Sequence, residues 1–235
     1  MRTTTLKPKQ ANMAKKKTTE AAGQNEAAKP ILYTTLAREA SAEFTEKKSL
    51  FIGYAAPTKT EQDALDFIAK IRKKHSDATH NVYAYQLNGG GIARYSDDGE
   101  PQGTAGVPVL DIIKKSGADD VCVVVTRYFG GILLGAGGLV RAYAAGAKAA
   151  IDAAGIVTYE NYTEFKLASG YSEYQKLVYE LPRYHVKVDS TDFGGDVTLK
   201  LAIRAVDYEN FADRVAELFA GRIKPEITGE RFDYE

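Results

Sequence analysis

The sequence predicts an α+β protein of two units behind a polar, basic tail. Three observations carry this: strand-like and helix-like periodicities alternate between residues 31 and 158, the elements after Tyr159 read βαββαβ, and residues 1–30 hold almost no large apolar side chain. The 235 residues suffice for one large domain or two ordinary ones. The expected division is a disordered basic tail over 1–30, a first domain over 31–158 and a second over 159–235.

The tail clusters Lys15, Lys16 and Lys17 and has the composition of a solvated, disordered segment. Met13 is an alternative start, a helix in the alanine-rich part stays open, and an arm touching RNA is the sharper alternative reading. Seven Lys or Arg stand against two Glu there, leaving 24 basic and 29 acidic residues in a mildly acidic body. That balance counts against a general nucleic-acid coat and leaves room for a local basic patch. No apolar run approaches the ~20 residues of a membrane span, and the start lacks the apolar core of a secretory signal, so a cytoplasmic protein without a membrane partner is expected. The single cysteine, Cys122, lies in the run VCVVV and reads as a packing residue.

From Ile31, TTLAREASAEF and SLFIGYAAP read as strands around a turn at Glu46-Lys47-Lys48. Thr60 and Asp63 form a capping box for a helix whose Ala64, Phe67, Ile68 and Ile71 share one face. NVYAYQL alternates as a strand, GIARYSDDGEP begins as another, and GVPVLDIIKKSG reads as a second helix. The valine-rich run in DDVCVVVTRYF fits a strand shielded on both faces. A third helix is expected from Leu139 to Ala154, closed by Gly155. In the second unit TEFKLAS is a strand, Ser172 with Gln175 caps a helix that Pro182 stops, and two strands meet at Gly194-Gly195. A helix closed by Gly221 and the strand IKPEITGERFDY follow, which gives the ferredoxin-like βαββαβ order.

Three segments carry candidate chemistry. RYFGGILLGAGGLVRAY places Gly130, Gly131, Gly135, Gly137 and Gly138 between a buried strand and a helix start, with Arg127 before them and Arg141 after. Unpaired N–H groups and the positive end of the helix dipole favour an anion there. Arg141 and Lys148 share a helix face with Ala145 and Asp152, so Arg127 and Arg141 are expected to flank one anion, and Tyr128 and Phe129 to stack on bases. The segment matches neither the Walker nor the Rossmann glycine pattern, and close packing of helix on sheet explains most of the glycines without a ligand. In SDDGEPQGTAGVP, Asp97, Asp98 and Glu100 are expected to converge, either as a polar turn or as oxygen ligands for a divalent cation. Thr104, Ala105 and Gly106 lead into the next helix as a second anion-accepting end. In HSDATHNVYAY, His75 and His80 lack the partners zinc requires; a surface histidine is the default and His80 is a candidate ligand contact.

Together SLFIGYAAP, HSDATHNVYAY, YSDDGEPQGTAGVPVLDII and VVVTRYFGGILLGAGGLVRAY resemble the IMPACT/YigZ family over about Leu36 to Ile156. The second unit is similar in element order to the small C-terminal domain of bacterial YigZ-type members. The resemblance implies a first domain of the ribosomal-protein-S-five domain-two-like class, as in the fourth domain of elongation factor G, and a ferredoxin-like second domain, as in its fifth. Eukaryotic IMPACT members regulate translation by restraining activation of a starvation-sensing kinase. Residues 1–30 are too short and polar to be the partner-binding domain those proteins carry, so their kinase-pathway partners are not transferred.

The expected function is non-catalytic binding of RNA or a ribosomal surface in translation regulation, with no cofactor. The same fold class includes the GHMP small-molecule kinases, so a phosphotransferase is the alternative. Mg and ATP would enter only there, held by the acidic loop and the glycine segment, although that segment lacks the kinases' proline- and serine-containing pattern. A purely protein-binding regulatory module is the third reading.

Overall fold

The structure, a computed structural model, describes residues 32–234; the expectations for the 1–30 tail lie outside them. The elements are β1 (Tyr33–Leu36), β2 (Ala40–Glu46), β3 (Ser49–Pro57), α1 (Glu61–Lys74), β4 (His80–Leu87), β5 (Ile92–Ser96), α2 (Gly106–Ser116), β6 (Val121–Tyr128) and α3 (Ala136–Ala154). There follow β7 (Ile156–Ser169), α4 (Tyr171–Glu180), β8 (Lys187–Phe193), β9 (Val197–Arg204), α5 (Tyr208–Phe219) and β10 (Glu226–Tyr234). The described residues form a mixed α+β protein with two five-stranded sheets.

The first sheet has the order β2-β3-β6-β4-β5, and its neighbours pair antiparallel throughout. Its central strand β6 shows why VCVVV carries no polar residue. Val121, Val123 and Val125 pack with α2 and α3, while Cys122 and Val124 pack with Phe67, Ile68 and Ile71 of α1. Alternating side chains are thus buried on both faces. Burial pushes the Cys122 thiol well above its ordinary range, consistent with an inert packing residue. The Thr60–Asp63 capping box forms as the sequence predicts, and Ala64, Phe67, Ile68 and Ile71 are buried.

Helix α3 begins a turn earlier than expected, with Gly135 as its N-cap. It crosses the sheet unusually closely, since a side chain at Gly53 of β3 would collide with the carbonyl of Gly146 in α3. At the end of β6 a side chain at Gly130 would collide with the backbone of Lys48. The glycine loop is thereby pressed onto the β2–β3 hairpin.

The second sheet contains β10-β7-β9-β8, with α4 and α5 packed on one face through Leu177, Phe211, Val215 and Phe219. The element order is the βαββαβ read from the sequence. Two expectations are corrected. TTLAREASAEF is two strands, and the first of them, β1, pairs with Ile156–Tyr159 of β7 in the second sheet. β7 itself runs unbroken from Ile156 to Ser169. The N-cap of α4 is Gly170, and Ser172 bonds the Glu173 side chain instead.

Candidate functional site

The acidic loop between β5 and α2 does not converge. Asp97 accepts hydrogen bonds from the backbone N–H groups of Gly103 (2.9 Å), Ala105 (3.1 Å) and Gly106 (2.8 Å). The expected anion-accepting end at Thr104–Gly106 is therefore filled by the chain's own carboxylate, an N-terminal cap placed nine residues before the helix. Thr104 donates its hydroxyl to the carbonyl of Pro101 at 2.6 Å. Asp98 accepts from the Asn81 backbone N–H and from Arg72, each at 2.6 Å. Among the described residues no group of three or more His, Cys, Asp or Glu is placed to hold a metal ion.

Glu100 turns the other way, into the interior, and is 8% exposed. Its Oε1 accepts from Arg127 Nη1 at 2.6 Å and from the Tyr143 hydroxyl at 2.7 Å. Arg127 is 5% exposed, its guanidinium lies 5.5 Å from the Phe51 ring centroid and 5.3 Å from that of Phe129, and its Nε has no hydrogen-bond partner among the described residues. A charge so deeply withdrawn from water is stable only because the carboxylate faces it. Burial, then the bond to Glu100, holds the Tyr143 hydroxyl far above its ordinary pKa.

His80 opens β4 beside this pair. Its Nδ1 is 2.7 Å from the Asp98 carbonyl oxygen, which can only accept, so Nδ1 carries the proton. Nε2 lies 3.8 Å from Glu100 Oε1. His80, Glu100 and Arg127 line a cavity of about 380 Å³ walled by Pro101, Phe129, Leu133 and Leu139 and closed by the start of α3 at Gly135 and Ala136. No side chain caps α3 and no acidic residue lies in its first turn.

The cations expected to share one anion are dispersed. Arg127 is committed to Glu100, and Lys148 is paired with Asp152 at 2.7 Å, two turns beyond Arg141. Arg141 lines a separate cavity with Phe44, Glu46, Lys47 and Gly138 and makes no ion pair among the described residues. Gly137 faces Arg141, and Gly138 faces Leu134. Gly131 and Gly135 have φ of 82° and 72°, which favour glycine. Phe129 is 45% and Leu133 80% exposed, with Ile132 also at the surface. Tyr128, expected as a stacking residue, belongs to another cluster.

That cluster contains His75, which is buried and not at the surface. Its Nε2 is 2.7 Å from the Tyr54 hydroxyl, and its Nδ1 is 2.9 Å from the Tyr128 hydroxyl. Tyr128 donates to Asp77 at 3.0 Å, and Lys74 donates to Tyr54 at 3.2 Å. These partners fit one neutral tautomer, with Nδ1 donating to Tyr128 and Nε2 accepting from Tyr54. Burial, and then the charge of Lys74, lower the pKa of His75. The alternation in SLFIGYAAP, which puts Tyr54 on the α1 face, was the available signal for this contact.

The Impact N-terminal domain model matches residues 47–151, and a domain of unknown function, DUF1949, matches residues 167–222. The chain is 36% identical over 191 residues to IMPACT family member YvyE of Bacillus subtilis, covering 81% of this chain and 88% of that protein. It is 34% identical over 181 residues to IMPACT family member YigZ of Escherichia coli, covering 76% and 89% respectively. A crystal structure described as that of a hypothetical protein superposes with a TM-score of 0.53 at 31% identity, over 84% of this chain and 98% of that one.

Proposed function

Because the chain belongs to the IMPACT family, we propose that it is a translation-associated regulator that acts by binding RNA, free or on a ribosomal surface, and not by catalysis. The fold classes implied by the resemblance belong to the same proposal. The sheet order β10-β7-β9-β8 with both helices on one face supports a ferredoxin-like second unit.

The observation that carries the RNA reading is where cations lack a carboxylate. On the second sheet Lys166 pairs with Glu226, Lys187 with Asp233, and Arg231 with Asp189, Glu164 and Asp233. Most cations of that face are thus paired, Lys200 excepted. Lys47, Lys48 and Arg141 make no ion pair among the described residues, and the hairpin that carries the two lysines lies against the glycine loop with Phe129, Ile132 and Leu133 exposed. Cations for phosphates beside apolar and aromatic surface for bases suit a single strand. The phosphate role thus falls to Arg141 with Lys47 and Lys48, in place of Arg127 and Lys148. The phosphotransferase alternative loses support because Asp97, Asp98 and Glu100 are each directed to different protein donors.

The test is binding of ribosomes and single-stranded RNA across a salt series, for the wild type and for Lys47→Glu/Lys48→Glu/Arg141→Glu. The expected result is salt-sensitive binding that the substitutions weaken, with the salt slope falling by about one for each phosphate no longer neutralised. Unchanged affinity and slope would overturn the assignment. Salt-insensitive binding of Mg-ATP alone would favour the phosphotransferase.

A further inference from the structure

The cavity beside Phe129 presents polar groups of both signs. Donors stand at its α3 end. The N–H groups of Ala136, Gly137 and Gly138 precede the first bond of the helix, from Leu139 to the Gly135 carbonyl, and have no acceptor among the described residues. Arg127, also a wall of the cavity, is 5% exposed, and its Nε is a buried N–H without a partner. Thr79 accepts from the Phe129 N–H and keeps its own hydroxyl proton free for an acceptor. A helix start with unpaired donors favours a negative group, and a buried N–H left without an acceptor is costly.

Glu100 gives the same cavity a wall of the opposite sign. Its carboxylate is 8% exposed, with Arg127 and Tyr143 both donating to Oε1. A simple anion such as phosphate would face that carboxylate, and a simple cation would face Arg127 and the start of α3. The fixed charges of Glu100 and Arg127 cancel, so the ligand that gains at both walls carries both charges and is neutral overall. The remaining walls are apolar, with Pro101, Leu133, Leu134 and Leu139 around the Phe129 ring. At about 380 Å³ the cavity lies at the small end of ligand sites. An α-amino acid with a branched or aromatic side chain joins a carboxylate, an ammonium and an apolar body within that size.

We propose that this cavity binds one free apolar α-amino acid. Its carboxylate meets the start of α3 and Arg127 Nε, its ammonium meets Glu100, and its side chain packs against Phe129 and the leucines. Charge-assisted hydrogen bonds at both ends fix its orientation. The site is independent of the RNA reading above, because it uses none of Lys47, Lys48 and Arg141 and needs no strand to fill it.

The experiment is isothermal titration calorimetry of the full chain with leucine and with phenylalanine. The expected result is saturable binding in the millimolar range or tighter. Three analogues each lack one recognised group: the deaminated acid, the amino acid amide, and alanine. Each is expected to bind at least about tenfold more weakly. Ala136→Asp sets a carboxylate in the first turn of α3, which favours the helix and occupies the place of the ligand's own carboxylate. Its thermal midpoint is expected to hold or rise while amino-acid binding is lost. Absence of saturable binding by either amino acid would overturn the proposal. So would an analogue that binds as tightly as the parent amino acid, or a folded A136D protein that binds as the wild type does. The analogue series is measured on the wild type and does not depend on the variant folding.

Discussion

At the scale of single residues, the fate of each titratable side chain follows from the direction in which it leaves the backbone. His75 ends α1 and turns inward between Tyr54 and Tyr128, where its neutral form satisfies both hydroxyls. Its lowered pKa means that the unfolded chain takes up the proton first as pH falls. The stability gained from neutral His75 is complete above the ordinary histidine pKa of about 6.5 and is lost progressively as pH drops below it. Urea denaturation between pH 7 and pH 5 is expected to show a steeper loss in the wild type than in His75→Gln. The difference is at most about 1.4 kcal/mol per pH unit; parallel curves would contradict the buried neutral imidazole. The sequence displayed the acids of the DDGEP loop but not their partners. Asp97, Asp98 and Glu100 sit within four positions of one another, and successive side chains in a tight turn leave in different directions. Their partners, Gly106, Asn81 and Arg127, come from three other elements, and local spacing holds no information about those distances.

At the scale of elements, local chemistry was the better guide. The Thr60 box, the α1 apolar face and the doubly buried β6 were legible because each is decided by side chains within one or two turns of each other. The α4 cap was misread because the helix starts at Tyr171, with Gly170 at the capping position, which leaves Ser172 inside the first turn, donating to Glu173. The β2–β3 hairpin shows a local preference overridden. Lys47 and Lys48 have φ of 44° and 66°, a left-handed conformation that glycine and asparagine adopt with less strain. Replacing Lys47-Lys48 with Asn-Gly is expected to raise stability by about 1–2 kcal/mol in urea denaturation. It is also expected to weaken RNA binding, because it removes two cations. A variant both more stable and equally tight in RNA binding would leave the strained lysines without the proposed use.

At the scale of the whole molecule, β1 ties the two sheets together. It pairs with β7 in the second sheet, while Thr34 accepts from the Asp119 backbone N–H at 2.8 Å and Tyr33 donates to Asp120 at 2.7 Å at the entrance to β6 in the first. Burial, with the bond to Asp120, pushes the Tyr33 hydroxyl up to about 12. Removing residues 1–36 is expected to expose the amides of residues 156–159 to hydrogen exchange while those of β6 stay protected. Unchanged protection at 156–159 would show that β1 contributes nothing to the second sheet. This swap was illegible in the sequence because TTLAREASAEF carries one continuous strand-like pattern, and only the change of direction at Ala37–Glu39 assigns its halves to different sheets. The arrangement also sets an order of events during synthesis. β1 leaves the ribosome roughly 120 residues before the strand it pairs with, a wait of about 6–24 s at common elongation rates. The intervening β2 to α3 unit has all its strand partners in hand by then, so its sheet is free to close before β1 meets β7, and β10 reaches the same strand last of all.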